Sequence, residues 1–167
     1  MRPQIYWIAN VPGGRLAILG RPRAGDWLGD EIAGWKVEGV TDVISLLEDS
    51  EVRELELSQE EEIAIKESLE FERFPIPDRG IPGSPEKARS LCEDLATRIR
   101  EGRSVGIHCR AGIGRSGMIA TAVLLLLGFL EKVAWERVSE ARGVPVPDTD
   151  EQKRFVSNPR LLQRSPS

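Results

Sequence analysis

Cys109 and Arg115 stand six positions apart in the segment HCRAGIGRSG (108–117), a spacing that lets one loop wrap a single phosphate dianion. The apolar run 104–107 reads as a short buried strand, and 118–127 as a largely apolar helix. Between them Gly112, Gly114 and Gly117 relax the backbone. The N–H groups of Arg110, Ala111, Gly112, Ile113 and Gly114 can then turn inward as an anion-binding nest. The helix that follows presents its positive end to whatever anion sits there. Thiols at helix N-termini beside cations ionise more readily than free cysteine, so Cys109 is expected as a thiolate nucleophile. Arg115 offers a planar fork matched to two phosphate oxygens, and its grip tightens as charge spreads over the equatorial oxygens. The Ser116 hydroxyl is expected to hydrogen-bond the sulfur and ease its departure. His108 is expected to brace the loop through a backbone hydrogen bond.

These residues carry a resemblance to the cysteine-dependent protein tyrosine phosphatases, whose signature reads His-Cys-x5-Arg-Ser/Thr. The resemblance implies attack of the Cys109 thiolate on phosphorus, a phosphocysteine intermediate and hydrolysis by water, with no metal and no cofactor. A leaving alkoxide or phenolate needs a proton. The segment 76–82, Ile-Pro-Asp-Arg-Gly-Ile-Pro, is similar to the family's mobile acid loop and makes Asp78 the general acid. Ile76 stands where tyrosine-specific members carry tryptophan, as is usual in the compact dual-specificity group. The segment 147–152 is similar to the family's glutamine loop, which makes Gln152 the residue that positions the hydrolytic water. Asp148 or Thr149 also fits the cap of a final helix there.

The chain has 167 residues, a formal charge of −4 and only two cysteines. That length suits one phosphatase domain over 1–158 with a flexible tail over 159–167. Two cysteines without metal-ligand spacing argue against a zinc site or a disulfide framework, so reduced thiols and a cytoplasmic setting are expected. Cys92 falls within a helical pattern and is expected to be a buried small apolar residue. The N-terminal segment lacks the apolar core of a signal peptide. The run 119–130 falls well short of the roughly twenty apolar residues a membrane span requires. The acidic balance opposes nucleic-acid and anionic-membrane binding. The acidic stretch 48–62 reads as a solvated face, and Arg100, Arg103, Arg137 and Arg142 read as surface charges.

Strands are expected over 15–19, 41–46, 71–76 and 104–108. Helices are expected over 29–38, from a Ser58/Glu61 capping box to about 70, over 85–100 behind Ser84 or Gly83, and over 131–141 and 149–157. Alternating strands and helices imply an α/β fold, a mainly parallel central sheet flanked by helices on both faces, with the phosphate loop at the carboxyl end of a strand. The resemblance implies a protein tyrosine phosphatase-like fold of the compact dual-specificity kind, covering roughly 41–156.

The substrate expected is a phosphorylated protein or peptide, with phosphate-like anions bound in the same site, and the protein is expected to act as a monomer. The chain has one tyrosine, Tyr6, far from the matched motifs. A shallow pocket open to phosphotyrosine and to phosphoserine or phosphothreonine is therefore favoured. Lipid phosphatases of the superfamily tend to carry lysines inside the loop, whereas here Arg110 is the basic residue of its interior. A phosphoinositide or an RNA 5′-phosphate is thus the alternative substrate. An ATP-type phosphate loop is disfavoured by the missing Gly-Lys-Ser/Thr ending. Arsenate reduction and sulfur transfer also use a loop cysteine, but the Arg115 paired with it and the separate Asp78 segment favour phosphate hydrolysis. A non-catalytic module that binds phosphoproteins is disfavoured by the presence of Cys109, Arg115 and Asp78 together.

Overall fold

A computed structural model of the chain describes residues 3–162. Five strands form one sheet: β1 (Ile5–Trp7), β2 (Arg15–Leu19), β3 (Asp42–Ser45), β4 (Glu70–Arg73) and β5 (Ser104–His108). Their spatial order is β1-β2-β5-β3-β4. β1 runs antiparallel to β2, and the other pairings are parallel. Among the described residues there are also eight helices: α1 (Leu28–Val37), α2 (Asp49–Glu54), α3 (Glu60–Lys66), α4 (Pro85–Arg100), α5 (Gly114–Leu126), α6 (Glu131–Arg142), α7 (Asp150–Val156) and α8 (Pro159–Leu162).

The strands alternate faces, as a pleated backbone requires. Leu16, Ile18, Ile44, Val105 and Ile107 pack beneath α4 to α7, whereas Ala17, Leu19 and Val43 pack against α1 and α3. Helices thus cover both faces of a mainly parallel sheet, the arrangement expected from the alternation of elements. In α4, the Ser84 hydroxyl accepts the Lys87 N–H at 3.2 Å and Pro85 occupies the first helical position. The helix buries Ala88, Leu91, Cys92, Leu95, Ala96 and Ile99, a stripe at three- and four-residue spacing. Beside it, the buried Asp42 carboxylate of β3 takes Arg103 Nε at 2.6 Å and Arg98 Nη1 at 3.2 Å.

Several sequence expectations give way. β1 was not anticipated; its three residues gain their hydrogen bonds by adding to the edge at β2. The strand read over 71–76 is Glu70–Arg73, and its continuation leads outside the strand into the Asp78 segment. Ser58 does not cap α3, whose N-cap is Gln59 without a side-chain bond. The residues 49–54 form a helix that the sequence reading did not place. Pro159 starts a helix instead of ending one, since proline is tolerated at a first helical position. This corrects the expectation of a frayed tail from 159: Leu161 is 1% exposed within the core beside α4, and 163–167 lie outside the described residues.

β5 is buried at every position, and its carboxyl end delivers His108 and Cys109. The parallel neighbours deliver their own loops to the same edge: β3 leads to α2, and β4 leads to the Asp78 segment.

Candidate active site

The phosphate loop leaves β5 at Cys109 and enters α5 at Gly114, so Arg115 and Ser116 lie in the helix's first turn, four residues earlier than the apolar pattern starts. The three glycines do different work. Gly112 has φ +72, the left-handed region, and its N–H points to the Cys109 sulfur at 3.3 Å. Gly114 provides space instead, because a Cβ there would lie 2.3 Å from Asp148 Oδ2. Gly117 similarly faces Val146. Arg142, read from sequence as a surface charge, reaches the back of the loop. Its Nε and Nη2 donate to the carbonyls of Gly112 and Ala111 at 3.0 and 3.1 Å, and the guanidinium stacks on Tyr6 at 4.4 Å. Those bonds hold the loop's backbone from behind, on the side of its carbonyls.

Arg115 is 2% exposed and bonded on every side. It forks onto Glu51 at 2.6 and 2.9 Å, donates to the Ile76 carbonyl at 2.9 Å, and meets Asp78 Oδ1 at 3.1 Å. Burial alone would push the Glu51 carboxyl up, but the Arg115 bonds and the Glu48 N–H outweigh it and hold it below the ordinary carboxylate value. Asp78 keeps 55% of its side chain exposed. Arg110 points outward to Glu54 at 3.0 Å.

Beneath Cys109 lies a second buried pair. His108, wholly buried, meets Glu60 Oε1 at 2.5 Å through Nε2, and its Nδ1 lies 3.4 Å from the Cys109 carbonyl. The backbone contact of His108 is this approach to the Cys109 carbonyl, and behind the ring stands a carboxylate that the sequence reading missed. Burial opposes the charge on His108, but the charge and hydrogen bond of Glu60 prevail, and its pKa is raised. The solvated-face reading of 48–62 is therefore corrected at two positions: Glu51 and Glu60 are 5% and 3% exposed, each paired with a site cation. The one sequence signal was the three-residue spacing of Glu48 and Glu51, which folds as a helix start with Glu51 Oε1 accepting the Glu48 N–H at 3.1 Å.

Ser116 departs from expectation. Its hydroxyl is buried with no hydrogen-bond partner among the described residues, so the contact to sulfur is not made here; the sulfur is met by Gly112 instead. Gln152 is also fully buried, with Nε2 bonded to the Gly80 carbonyl and Oε1 to the Asp148 N–H, both at 3.1 Å. Cys92 is buried in the core as expected, and desolvation pushes its thiol up to about 12. Among the described residues no group of three or more His, Cys, Asp or Glu side chains is arranged to hold a metal ion.

A thiol met by the Gly112 N–H, with a fixed guanidinium in the helix turn that follows and a half-exposed carboxyl on that guanidinium, is a set of groups that could take up a phosphate dianion. A model of the family described as "polymorphic toxin system, DSP-PTPase phosphatase" matches residues 19–128. The chain belongs to that DSP-PTPase phosphatase family. It is 37% identical over 122 residues to receptor-type tyrosine-protein phosphatase H of Homo sapiens, covering 71% of this chain and 10% of that protein. Against cyclin-dependent kinase inhibitor 3 of Rattus norvegicus it is 32% identical over 84 residues, 49% of this chain and 39% of the relative. The chain thus spans well under half the length of these curated relatives. The crystal structure of Tk-PTP in the active form superposes with a TM-score of 0.76 at 29% identity, covering 99% of this chain and 100% of that one. The protein tyrosine phosphatase-like fold expected from the motifs is therefore the fold of this family member.

Proposed function

We propose that this chain is a cysteine-dependent phosphomonoesterase acting on phosphotyrosine, and on phosphoserine or phosphothreonine, in proteins. The Cys109 thiolate attacks phosphorus, forming the S–P bond as the ester O–P bond breaks, and Asp78 gives its proton to the leaving oxygen. Water then attacks phosphorus, Asp78 takes a proton back, the S–P bond breaks and inorganic phosphate leaves. Arg115 and the N–H groups of residues 110–114 carry the charge of the phosphoryl group in both steps. In that second step Ser116 eases the single departure of sulfur by turning its unpartnered hydroxyl to the developing thiolate. The protein works as a monomer in a cytoplasmic setting; among the described residues no helix is long and apolar enough to cross a membrane.

The observation that carries this reading is the convergence at Arg115. One guanidinium, in the first turn of the helix that the Cys109 loop enters, feels the charge of Cys109 and touches the Asp78 carboxylate at 3.1 Å, so the anion clamp links nucleophile and acid. The phosphoinositide alternative is disfavoured by Arg110, whose guanidinium is engaged by Glu54 and leaves no spare cation inside the loop for a second phosphate.

The test compares phenyl phosphate with 2,4-dinitrophenyl phosphate, with chelator present. Asp78→Asn should lose about 10²- to 10⁴-fold on the poor leaving group and much less on the good one. An equal loss on both would remove Asp78 from the acid role. Parallel turnover of a phosphotyrosine peptide and a soluble phosphoinositide decides the substrate class.

A further inference from the structure

The acid segment is pinned at both ends. Upstream of Asp78, the Ile76 carbonyl accepts Arg115 Nη1 at 2.9 Å. Downstream, Gly80 closes a tight turn onto the Pro77 carbonyl at 2.8 Å, with Arg79 at φ +59 inside it. The Gly80 carbonyl then accepts Gln152 Nε2 at 3.1 Å.

Gln152 is itself held against the phosphate loop. Its Oε1 takes the Asp148 N–H at 3.1 Å, and its backbone N–H is capped by Thr149 Oγ1 at 3.1 Å. Asp148 abuts Gly114 so closely that a Cβ there would meet both its carboxylate and Gln152 Oε1. The chain of contacts runs from the phosphate loop through Gln152 to the turn that carries Asp78. A buried amide whose donor and acceptor ends both have protein partners is costly to pull away.

We propose that Gln152 is a positioning residue for the proton-transfer step, a latch that fixes where the Asp78 carboxyl sits above the phosphate loop. This rests on Asp78 being the acid. It departs from the role the resemblance suggests for Gln152, the orientation of the hydrolytic water. The two roles act on different steps: a latch governs formation of the S–P bond, and a water-orienting residue governs its hydrolysis.

The experiment uses the full chain with Gln152→Met, which removes both bonds at similar length, and Gln152→Glu at pH 7, which keeps an acceptor for the Asp148 N–H and loses the donor to Gly80. kcat/KM reports the steps through S–P formation, whereas kcat includes hydrolysis. Both variants should lose about 10- to 100-fold in kcat/KM on phenyl phosphate, since small misplacements of a reacting group cost factors of this order. On 2,4-dinitrophenyl phosphate, which needs no proton, the loss should shrink to about twofold or less. No burst of phenol should precede the steady state. A preserved kcat/KM with a lowered kcat and a burst would assign Gln152 to the water step and overturn the latch. Equal losses on both substrates with a lowered Tm would reduce it to a packing residue and overturn it too. Asp78→Asn runs alongside. If that variant lacks leaving-group dependence, the acid assignment itself has failed; if it has it and the Gln152 variants do not, the latch alone has failed.

Discussion

Glu51→Ala should be among the most damaging single changes in this chain, and the damage is a matter of charge. Arg115 is 2% exposed and Glu51 5%, so neither charge recovers its hydration when its partner is lost. The fork of 2.6 and 2.9 Å is the main compensation for burying that guanidinium; the remaining carboxylate, Asp78, is half in solvent. Breaking such a buried pair from one side costs about 3–5 kcal/mol. At about 2–4 °C per kcal/mol for a domain of this size, the melting temperature should fall by about 6–20 °C. Vanadate or inorganic phosphate should return part of the loss, because a bound dianion supplies the missing counter-charge; an anion at a hundred times its Kd contributes about 2.7 kcal/mol. Calorimetry with and without phosphate measures both. The pH dependence has a fixed sign. Glu51 has its carboxyl held low in the folded state, so its contribution is complete above the ordinary carboxylate value and is lost as pH falls through the lowered one. The stability difference between wild type and Glu51→Gln should close on that side alone. A melting temperature within about 2 °C of wild type for Glu51→Ala would refute the reasoning.

Two further outcomes bear on the same architecture. His108 is the chain's single histidine, so its imidazole resonances are unambiguous by NMR. They should titrate above the ordinary histidine value in the wild type and below it in Glu60→Gln, where burial, joined by the charge of Arg115, is opposed only by the bond to the Cys109 carbonyl. Because the folded value is raised, the stabilisation from this pair is complete below the ordinary value and fades as pH rises through the raised one; an unchanged titration in the variant would sever Glu60 from His108. Leu161→Ala should cost about 2–4 kcal/mol in urea unfolding, as truncation of a packed leucine does, whereas a value near zero would return 159–162 to an undocked tail.

What the sequence made legible was local. Cys109, Arg115 and the glycines between them are neighbours in the chain, so their common purpose follows from spacing, and Ser84–Pro85 announces α4 in the same way. Glu51, Glu60 and Arg142 were not legible, because they come to the loop from 64, 48 and 30 positions away. Two of them ride on short helices whose acidic composition resembles a solvated surface. A carboxylate is buried there because a site cation waits for it, and nothing within a local window records the cation. Ser116 and Gln152 were found as residues, but their contacts are set by the helix start at Gly114 and the approach of Asp148, which only the packed structure fixes.

The most direct measurement is the covalent state of Cys109 during turnover. Wild-type protein is mixed with excess phosphotyrosine peptide and chelator, quenched in acid within milliseconds and digested, and the peptides are weighed by mass spectrometry. The expected result is one phosphoryl adduct, on the peptide carrying Cys109, that forms and decays at rates matching phosphate release and is missing along with turnover in Cys109→Ser. Undiminished turnover by Cys109→Ser, or a phosphoryl group on another residue, would contradict nucleophilic catalysis by Cys109.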